Sequence, residues 1–428
     1  MIPIESGKDY SVIPVRMESI NNRYVVVFLW GLFSSIQPLG SLAISLSEMA
    51  AFGYFLYHLF TLNIRFKKNH SIFFLCLFLW FFGIFFTDLF NDISSVETVK
   101  QLGTVVILGV CLYVSFRIFS LNTNLIIIFI GGYALSGLIE LFLIYSKSHS
   151  AVIDAGFMTQ AIYMSTYGVY SIVSFVSLIL GFLLYKKQFW MFFLLSIVCS
   201  LFFLYDGSRN LFLVFISVPI MILFSRFLFK IGGRKFSVIL LPFFLIVSLF
   251  AAYTTYSSMA ENGYLGDAQK AKYETQFTSV NETKLSIGSA REGFIYSLYI
   301  IYHNKLFGCG SNCLADYETA RSFDEMFNTN VVESRSHVPS HSHVLTPIVY
   351  AGLFALFFWA LVIGLFSRFF LLFFTGKVQY GVSAIIIFLA AQQLWNIFFS
   401  PLSGIVMLSS LIAIITQLVI HYRRDRAL

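Results

Sequence analysis

The feature that most constrains this chain is a series of apolar stretches separated by short charged segments. We count about twelve, and roughly 20 mostly apolar residues are enough for a helix to cross the hydrocarbon core of a bilayer. With only 11% charged residues, a soluble protein could not cover its surface, so a soluble enzyme is excluded. The sequence therefore predicts an all-α polytopic membrane protein. The predicted spans are 24–38, 41–63, 71–89, 100–119, 124–145, 165–185, 188–205, 210–230, 236–256, 342–373, 380–398 and 402–421.

The basic residues predict how the chain is oriented. With twelve spans both termini lie on one side of the membrane, and 18 of the 28 Lys and Arg residues fall in the tails and loops of that side. The positive-inside rule then places both termini in the cytoplasm. Because the net charge of +7 is spread over these short runs, no nucleic-acid partner is expected.

One segment interrupts the pattern of spans. Residues 257–339 contain no apolar run long enough to cross a membrane, and the orientation places them outside the cytoplasm. Loops of this length are uncommon unless they are functional. The predicted organisation is a cytoplasmic N-terminal tail, nine spans, a large periplasmic loop with short helices, three further spans and a cytoplasmic C-terminal tail. These parts cover residues 1–23, 24–256, 257–339, 340–421 and 422–428.

The first candidate site is the turn between the seventh and eighth spans. Asp206 and Gly207 mark a tight turn, and Ser208 can cap the helix that follows. Arg209 would then lie at a helix N-terminus, where the helix dipole repels a cation unless an anion is near. The structural alternative is an interfacial Arg whose side chain extends into water.

The second candidate site lies inside the long loop. Ser289 and Glu292 have the spacing of a capping box, so a helix is predicted to start here, with Arg291 at its beginning. Residues 293–302 continue the helix but are too few to span, which predicts a helix at the membrane interface. The glycine-rich residues 304–310 are predicted to end it with a turn.

The third candidate site leads into the tenth span. Ser340 is a natural N-cap, which places His341 and His343 in the first helical turn. A helix N-terminus favours the neutral imidazole that a general base needs. Pro347 is expected to kink the helix and open space beside the site. Interfacial histidines without a catalytic role are the structural alternative.

A metal site is the competing chemistry for this part of the chain. His337 lies close to His341 and His343, and Cys309 and Cys313 belong to the same loop. However, Cys-x3-Cys is only a permissive zinc spacing, and the sequence lacks the His-Glu-x-x-His and Cys-x2-Cys patterns. The two cysteines either form a disulfide or stay free. We therefore expect no metal.

Taken in chain order, these three places resemble the bacterial O-antigen ligase and O-antigen polymerase family of membrane glycosyltransferases. His341-Ser342, followed by Gly352, resembles the family's His-Asn motif with its downstream glycines. Residues 304–310, which follow Arg291 and an apolar helix, resemble the family's Asn-Pro-Leu-Phe-Gly-x-Gly. Residues 207–209 resemble its Ser/Thr-Arg turn. The departures from the family pattern are Lys305, Ser342 and Ala355.

The resemblance implies a GT-C-like fold in the bacterial inner membrane and an active site on its periplasmic face. A glycan would pass from an undecaprenyl-diphosphate carrier to a hydroxyl of an acceptor glycolipid, either a carrier-linked O-unit or lipid A-core. Arg209 and Arg291 would bind the diphosphate, His341 would act as the base, and no metal or other cofactor would be required. A chain-length regulator or another polysaccharide-assembly protein is a candidate partner besides the lipid bilayer. Further predicted substrate-binding residues are Lys305, Arg335, His337 and His343.

The sequence leaves the acceptor open. Polymerase and ligase are both compatible with it, and we lean to the polymerase; a protein O-glycosylating enzyme would carry added domains. A flippase for lipid-linked oligosaccharides, or another polytopic transporter, is the alternative from a different class. Such a protein would be expected to show internal repeats and more charges within its spans than Glu48, Asp88 and Glu140.

Overall fold

The structure is a computed structural model that describes most of the chain as α-helix. The described residues are 17–34, 36, 44–64, 68–151, 172–205, 210–225, 227, 254–255, 257–259, 261–264, 270, 292–303, 307–311, 317–327, 342–378, 380–399 and 404–424. Within these ranges every regular element is helical. The helices are α1 (Met17–Leu32), α2 (Leu46–Phe60), α3 (Lys68–Phe90), α4 (Ser95–Ile118), α5 (Thr123–Ala151), α6 (Ile172–Tyr185), α7 (Phe189–Tyr205), α8 (Asn210–Ser225), α9 (Glu292–His303), α10 (Tyr317–Phe327), α11 (Leu345–Ala351), α12 (Leu353–Phe374), α13 (Tyr380–Phe399) and α14 (Ile405–Arg424).

The predicted all-α membrane class is confirmed. In the described part of the chain, α3, α4, α12, α13 and α14 contain apolar segments long enough to cross a membrane. The apolar helices α6, α7 and α8 are shorter. The total of twelve spans stays a prediction, because five of the described helices are long enough to span, and the ninth predicted span, 236–256, lies outside the described residues except for 254 and 255.

The core of the bundle is formed by α12 packed against α3, α13 and α14, with α4 between α3 and α14. Trp359 of α12 is completely buried, and its ring centroid lies 5.9 Å from that of Trp80 on α3. A Cβ atom at Gly83 would lie 2.5 Å from the Cβ of Phe354, so the two helices approach closely at this glycine. Small residues at such crossings are typical of helices packed within membranes.

Helix directions define two ends of the bundle. His70 stacks on Phe116, and Leu77 lies beside Gly109, so α3 and α4 run antiparallel. Where α3 ends and α4 begins, the charged residues include Asp88, Asp92 and Glu97, and we call this the acidic end.

The opposite end of the bundle is rich in basic residues. The Nε of Arg23 donates to the Ile118 carbonyl oxygen (3.0 Å), and Arg117 donates to the Asn63 carbonyl oxygen (2.9 Å). Gly381 lies beside Thr123 and Tyr185, which brings the α6–α7 turn and the start of α13 to the same place. This basic end therefore contains Arg23, Arg117, Lys186, Lys187 and Lys377.

The predicted tenth span, 342–373, is not one helix. It is divided into α11 and α12 at Gly352, whose φ of 62° and ψ of −146° are accessible essentially to glycine alone. The expected kink at Pro347 is therefore wrong. Pro347 occupies the first turn of α11, where a missing backbone N–H costs no intrahelical hydrogen bond.

Candidate functional site

The start of α11 is held by Ser342. Its Oγ accepts hydrogen bonds from the backbone N–H of Leu345 (3.1 Å) and Val344 (3.3 Å) and donates to the Ile397 carbonyl oxygen (3.2 Å). The hydroxyl thus satisfies N–H groups at the beginning of the helix and ties this beginning to α13. The helix starts at Leu345, so His343 precedes it, and its predicted position in the first turn is wrong. The predicted N-cap, Ser340, lies outside the described residues.

His343 lies inside the bundle. Its side chain has no exposed surface, and its ring centroid lies 5.8 Å from that of Trp359. Its predicted role in substrate binding stays a prediction. In this conformation a substrate could reach the ring only if neighbouring side chains moved.

The segment after α9 forms a turn of positive-φ glycines, as predicted. Gly308 and Gly310 have φ values of 83° and 93°. The N–H of Cys309 donates to the Val349 carbonyl oxygen (2.8 Å), and the N–H of Gly310 donates to that of Tyr350 (3.1 Å). The glycine turn, residues 307–311, is thereby attached to the end of α11.

The other side of the glycine turn is attached to α3. The Oδ1 of Asp88 accepts the backbone N–H of Ser311 (2.6 Å), and its Oδ2 accepts the Ser311 hydroxyl (2.5 Å). The Thr87 hydroxyl donates to the Phe307 carbonyl oxygen (3.0 Å). Asp88 is only 3% exposed, so its carboxylate is hydrogen-bonded to the protein and has almost no contact with solvent.

A small second core joins α9, α10 and α11 at the acidic end. The rings of Tyr296 and Phe323 are 4.8 Å apart, and both side chains are almost completely buried. Ile300, Val349 and Tyr350 complete this core. Of the two short helices of the predicted loop, α9 therefore packs on α11, and α10 packs on α9.

The sequences next to Arg291 and His341 meet at the end of α13. Phe294, three residues after Arg291, lies with its ring centroid 5.3 Å from that of Phe399. Ser342, the neighbour of His341, donates to the carbonyl oxygen of Ile397. Three residues of extended chain reach at most about 10 Å. Phe294 and Ser342, the described neighbours of two sites that are far apart in the sequence, thus contact residues of α13 that are only two positions apart.

The neighbours of Arg209 lie at the same end of the bundle. Gly181 approaches Ile385, and Tyr185 lies beside Gly381, so α6 is antiparallel to α13. The next helix, α7, consequently runs parallel to α13, with Phe192 beside Phe388 (5.9 Å). From these two rings, Tyr205 is about 20 Å along α7, and Phe399 is about 16 Å along α13. Tyr205, the last residue of α7, therefore lies at the acidic end.

The predicted residues Arg209, Arg291, Lys305, Arg335, His337 and His341 lie outside the described residues, and their roles stay predictions. Cys309 is disulfide-bonded, whereas Cys76, Cys111 and Cys199 are free; Cys313 lies outside the described residues. Over the described part of the chain, no group of three or more His, Cys, Asp or Glu side chains could hold a metal ion.

Two polar features of this end were not assigned a role from the sequence. Thr87, Asp88 and Ser311 attach the glycine turn to α3. The only signal for this contact in the sequence was the charge of Asp88 near the end of an apolar stretch. On α13, Gln392 donates to Asn396 (3.0 Å), and both side chains are buried. Amides within an otherwise apolar span were the available signal for this pair.

Glu48 and Glu140 were the other acidic residues of the predicted spans. Glu48 belongs to a capping box with Ser45, whose N–H it accepts at 2.6 Å, so its role is to start α2. The backbone of Glu140 belongs to α5, and its side chain lies outside the described part of the structure.

Comparisons with protein-family models, with curated proteins and with solved structures gave no significant match to this chain, so a functional assignment depends on its own residues.

Proposed function

We propose that this chain is a membrane glycosyltransferase of the O-antigen polymerase or ligase type. It would transfer a glycan from an undecaprenyl-diphosphate carrier to an acceptor sugar hydroxyl at the outer face of the bacterial inner membrane. The observation that supports the proposal is that the described neighbours of three separate sequence sites lie at one end of the bundle. The described neighbours of Arg209, Arg291 and His341 are Tyr205, Phe294 and Ser342, and all three lie at the acidic end.

The distribution of charge supports the orientation that this reaction needs. The basic end carries Arg23, Arg117, Lys186 and Lys377, and the positive-inside rule assigns such an end to the cytoplasm. The acidic end would then face the periplasm. The disulfide at Cys309 belongs to this end and agrees with an oxidising compartment.

In the proposed reaction the acceptor hydroxyl oxygen forms a bond to the anomeric carbon of the donor glycan. The bond between that carbon and the diphosphate oxygen breaks, and the carrier diphosphate leaves with the electron pair. His341 takes the acceptor proton, since its ordinary pKa of about 6.5 suits a base at neutral pH. Arg209 and Arg291 bind the leaving diphosphate, because guanidinium groups form bidentate, permanently charged contacts with phosphate.

Transfer assays in membranes test the residue roles. We expect H341A to lower the transfer rate by about 10²–10⁴-fold, the usual contribution of general-base catalysis. We expect R209A and R291A to lower it by about 10²–10³-fold, as for the loss of a donor to a developing anion. The matched control is R321A, which removes an exposed Arg of α10 that pairs with Glu325. Full transfer by all three site variants would contradict the proposal.

The surface glycan of a deletion strain distinguishes the possible reactions. Single O-units on lipid A-core would indicate a polymerase, to which we lean, whereas bare core with carrier-linked polymer would indicate a ligase. Lipid-linked units retained on the cytoplasmic face would indicate a flippase. Unchanged surface glycan would contradict both glycosyltransferase assignments.

A further inference from the structure

Asp88 is a buried carboxylate for which the proposed reaction has no use. It lies in the last turn of α3, is 3% exposed, and accepts both the backbone N–H and the hydroxyl of Ser311. A buried charge is costly unless it is hydrogen-bonded, and charges within membrane-length helices usually mark function. Both of these hydrogen bonds go to one residue of the glycine turn, which points to a role in holding that turn.

The glycine turn is held equally firmly on its other side. Val349 and Tyr350 of α11 accept its backbone N–H groups. A Cβ atom at Gly308 would lie 2.5 Å from the Tyr350 carbonyl oxygen and 2.6 Å from the Gly352 nitrogen. The turn therefore fits into the space between α3 and α11 with almost no freedom to move.

This turn links the two helices that follow the predicted catalytic residues. α9 begins at Glu292, directly after Arg291, and ends at His303, close to the turn in sequence. α11 follows His341 by four residues and contributes the carbonyl groups that bind the turn. A displacement of the turn would therefore shift α9 relative to α11.

We propose that Asp88 is a positioning residue that sets the placement of α9, which follows Arg291 in sequence, relative to α11, which follows His341, by fixing the glycine turn between α3 and α11. This inference rests on the proposed glycosyltransferase function. Asp88 acts through Ser311 and does not touch the substrate. Its carboxylate serves as a double hydrogen-bond acceptor, so its geometry matters more than its charge.

Substitutions at Asp88 separate these two properties. Asp88→Asn keeps an oxygen for the Ser311 N–H and offers an N–H group to the Ser311 oxygen, whereas Asp88→Leu keeps the branching at Cγ and loses both bonds. We expect D88L to lower the transfer rate by about 10²-fold, the usual effect of a misplacement of about 1 Å, and D88N to stay within about threefold of wild type. The matched control is Asp92→Asn, an exposed carboxylate four residues away, which should behave as wild type.

Hydrogen exchange of the purified protein gives a readout that does not depend on activity. In D88L the amides of residues 307–311 and 345–351 should exchange faster, and in D88N and D92N they should not. Ser311→Ala keeps the charge and removes one bond, so it should give a smaller increase and a several-fold loss of transfer. This variant tests the proposal even if D88L does not fold.

Three results would overturn the positioning role. D88N could lose as much transfer as D88L, which would make the charge itself essential. D88L could loosen the turn without affecting transfer, or S311A could leave both exchange and transfer unchanged. In each case R291A and H341A would still be expected to lower the transfer rate, so the proposed function would not be contradicted. If R209A, R291A and H341A instead all kept full transfer, the proposed function would fail and the role of Asp88 with it.

Discussion

The two ends of the bundle use charged side chains in opposite ways. At the basic end, Arg23 and Arg117 are donors, and they bond to the carbonyl oxygens of Ile118 and Asn63, where helices have just ended. At the acidic end, Asp88 is an acceptor, and it bonds to the backbone and side chain of a loop more than 200 residues away in sequence.

The difference lies in burial and in what each contact organises. The bonds to Ile118 and Asn63 are exposed. They satisfy the carbonyl oxygen of the last residue of α4 and one in the connection after α2, and water could bind both instead. The carboxylate of Asp88 is buried and fixes tertiary structure. The charged side chains of the basic end thus make exposed, local contacts, whereas the buried carboxylate at the acidic end joins segments that are distant in sequence.

The largest effect is expected when cysteines placed at the two ends are labelled from outside the cell. Val96→Cys places a thiol at the exposed start of α4, and Gln188→Cys places one in the exposed turn before α7. A membrane-impermeant maleimide applied to spheroplasts should label the first and not the second. The unsubstituted chain, with free cysteines only within α3, α4 and α7 among its described residues, gives the baseline. Labelling of the Gln188→Cys variant alone would show that the orientation is the opposite of the predicted one.

Substitution of two glycines with positive φ, one at each end, compares how much each end contributes to the free energy of unfolding. Gly308→Ala should lower the free energy of unfolding by about 2–5 kcal/mol, because the left-handed backbone and the contacts with Tyr350 and Gly352 both oppose a Cβ. Gly376→Ala, at the basic end, should cost only about 1–2 kcal/mol, because nothing lies within 4 Å of its Cβ position. Thermal unfolding in detergent, followed by Trp fluorescence, measures both. Equal losses would mean that the turn is not tightly held.

A pair of hydroxyl groups gives an intermediate effect. Ser311→Ala removes a buried hydrogen bond to a carboxylate and should cost about 1.5–3 kcal/mol. Thr61→Ala removes an exposed bond to the Tyr57 carbonyl oxygen (2.8 Å) after α2 and should cost less than about 1 kcal/mol. The same unfolding measurement compares them, and a larger loss in T61A would contradict the contrast.

The smallest effect is expected from Arg117→Gln. The substitution removes an exposed bond to Asn63 and a contact over the Tyr113 ring (5.3 Å), so the loss of stability should be below about 1 kcal/mol. Its unfolding midpoint should stay close to that of the wild type. A loss as large as that of S311A would show that the basic end also carries tertiary structure.

The sequence predicted those parts of the fold that depend on local pattern. The apolar stretches gave the membrane-length helices, and the residues 293–302 and 304–310 gave α9 and its glycine turn. The break at Gly352 was not predicted, because a lone glycine in an apolar run is compatible with a continuous helix. The partner of Asp88 could not be predicted either, since Ser311 is distant in sequence and carries no pattern of its own.

Because of the interruption at Gly352, the glycine turn and the helices α11 and α12 depend on each other. In an unbroken helix, the carbonyl groups of Val349 and Tyr350 would point along the axis to the N–H groups of Leu353 and Phe354. Here they bond to Cys309 and Gly310 instead. The two sets of donors compete for the same acceptors. Any change that straightens α11 and α12 into one helix therefore releases the glycine turn, and a docked turn keeps that helix divided.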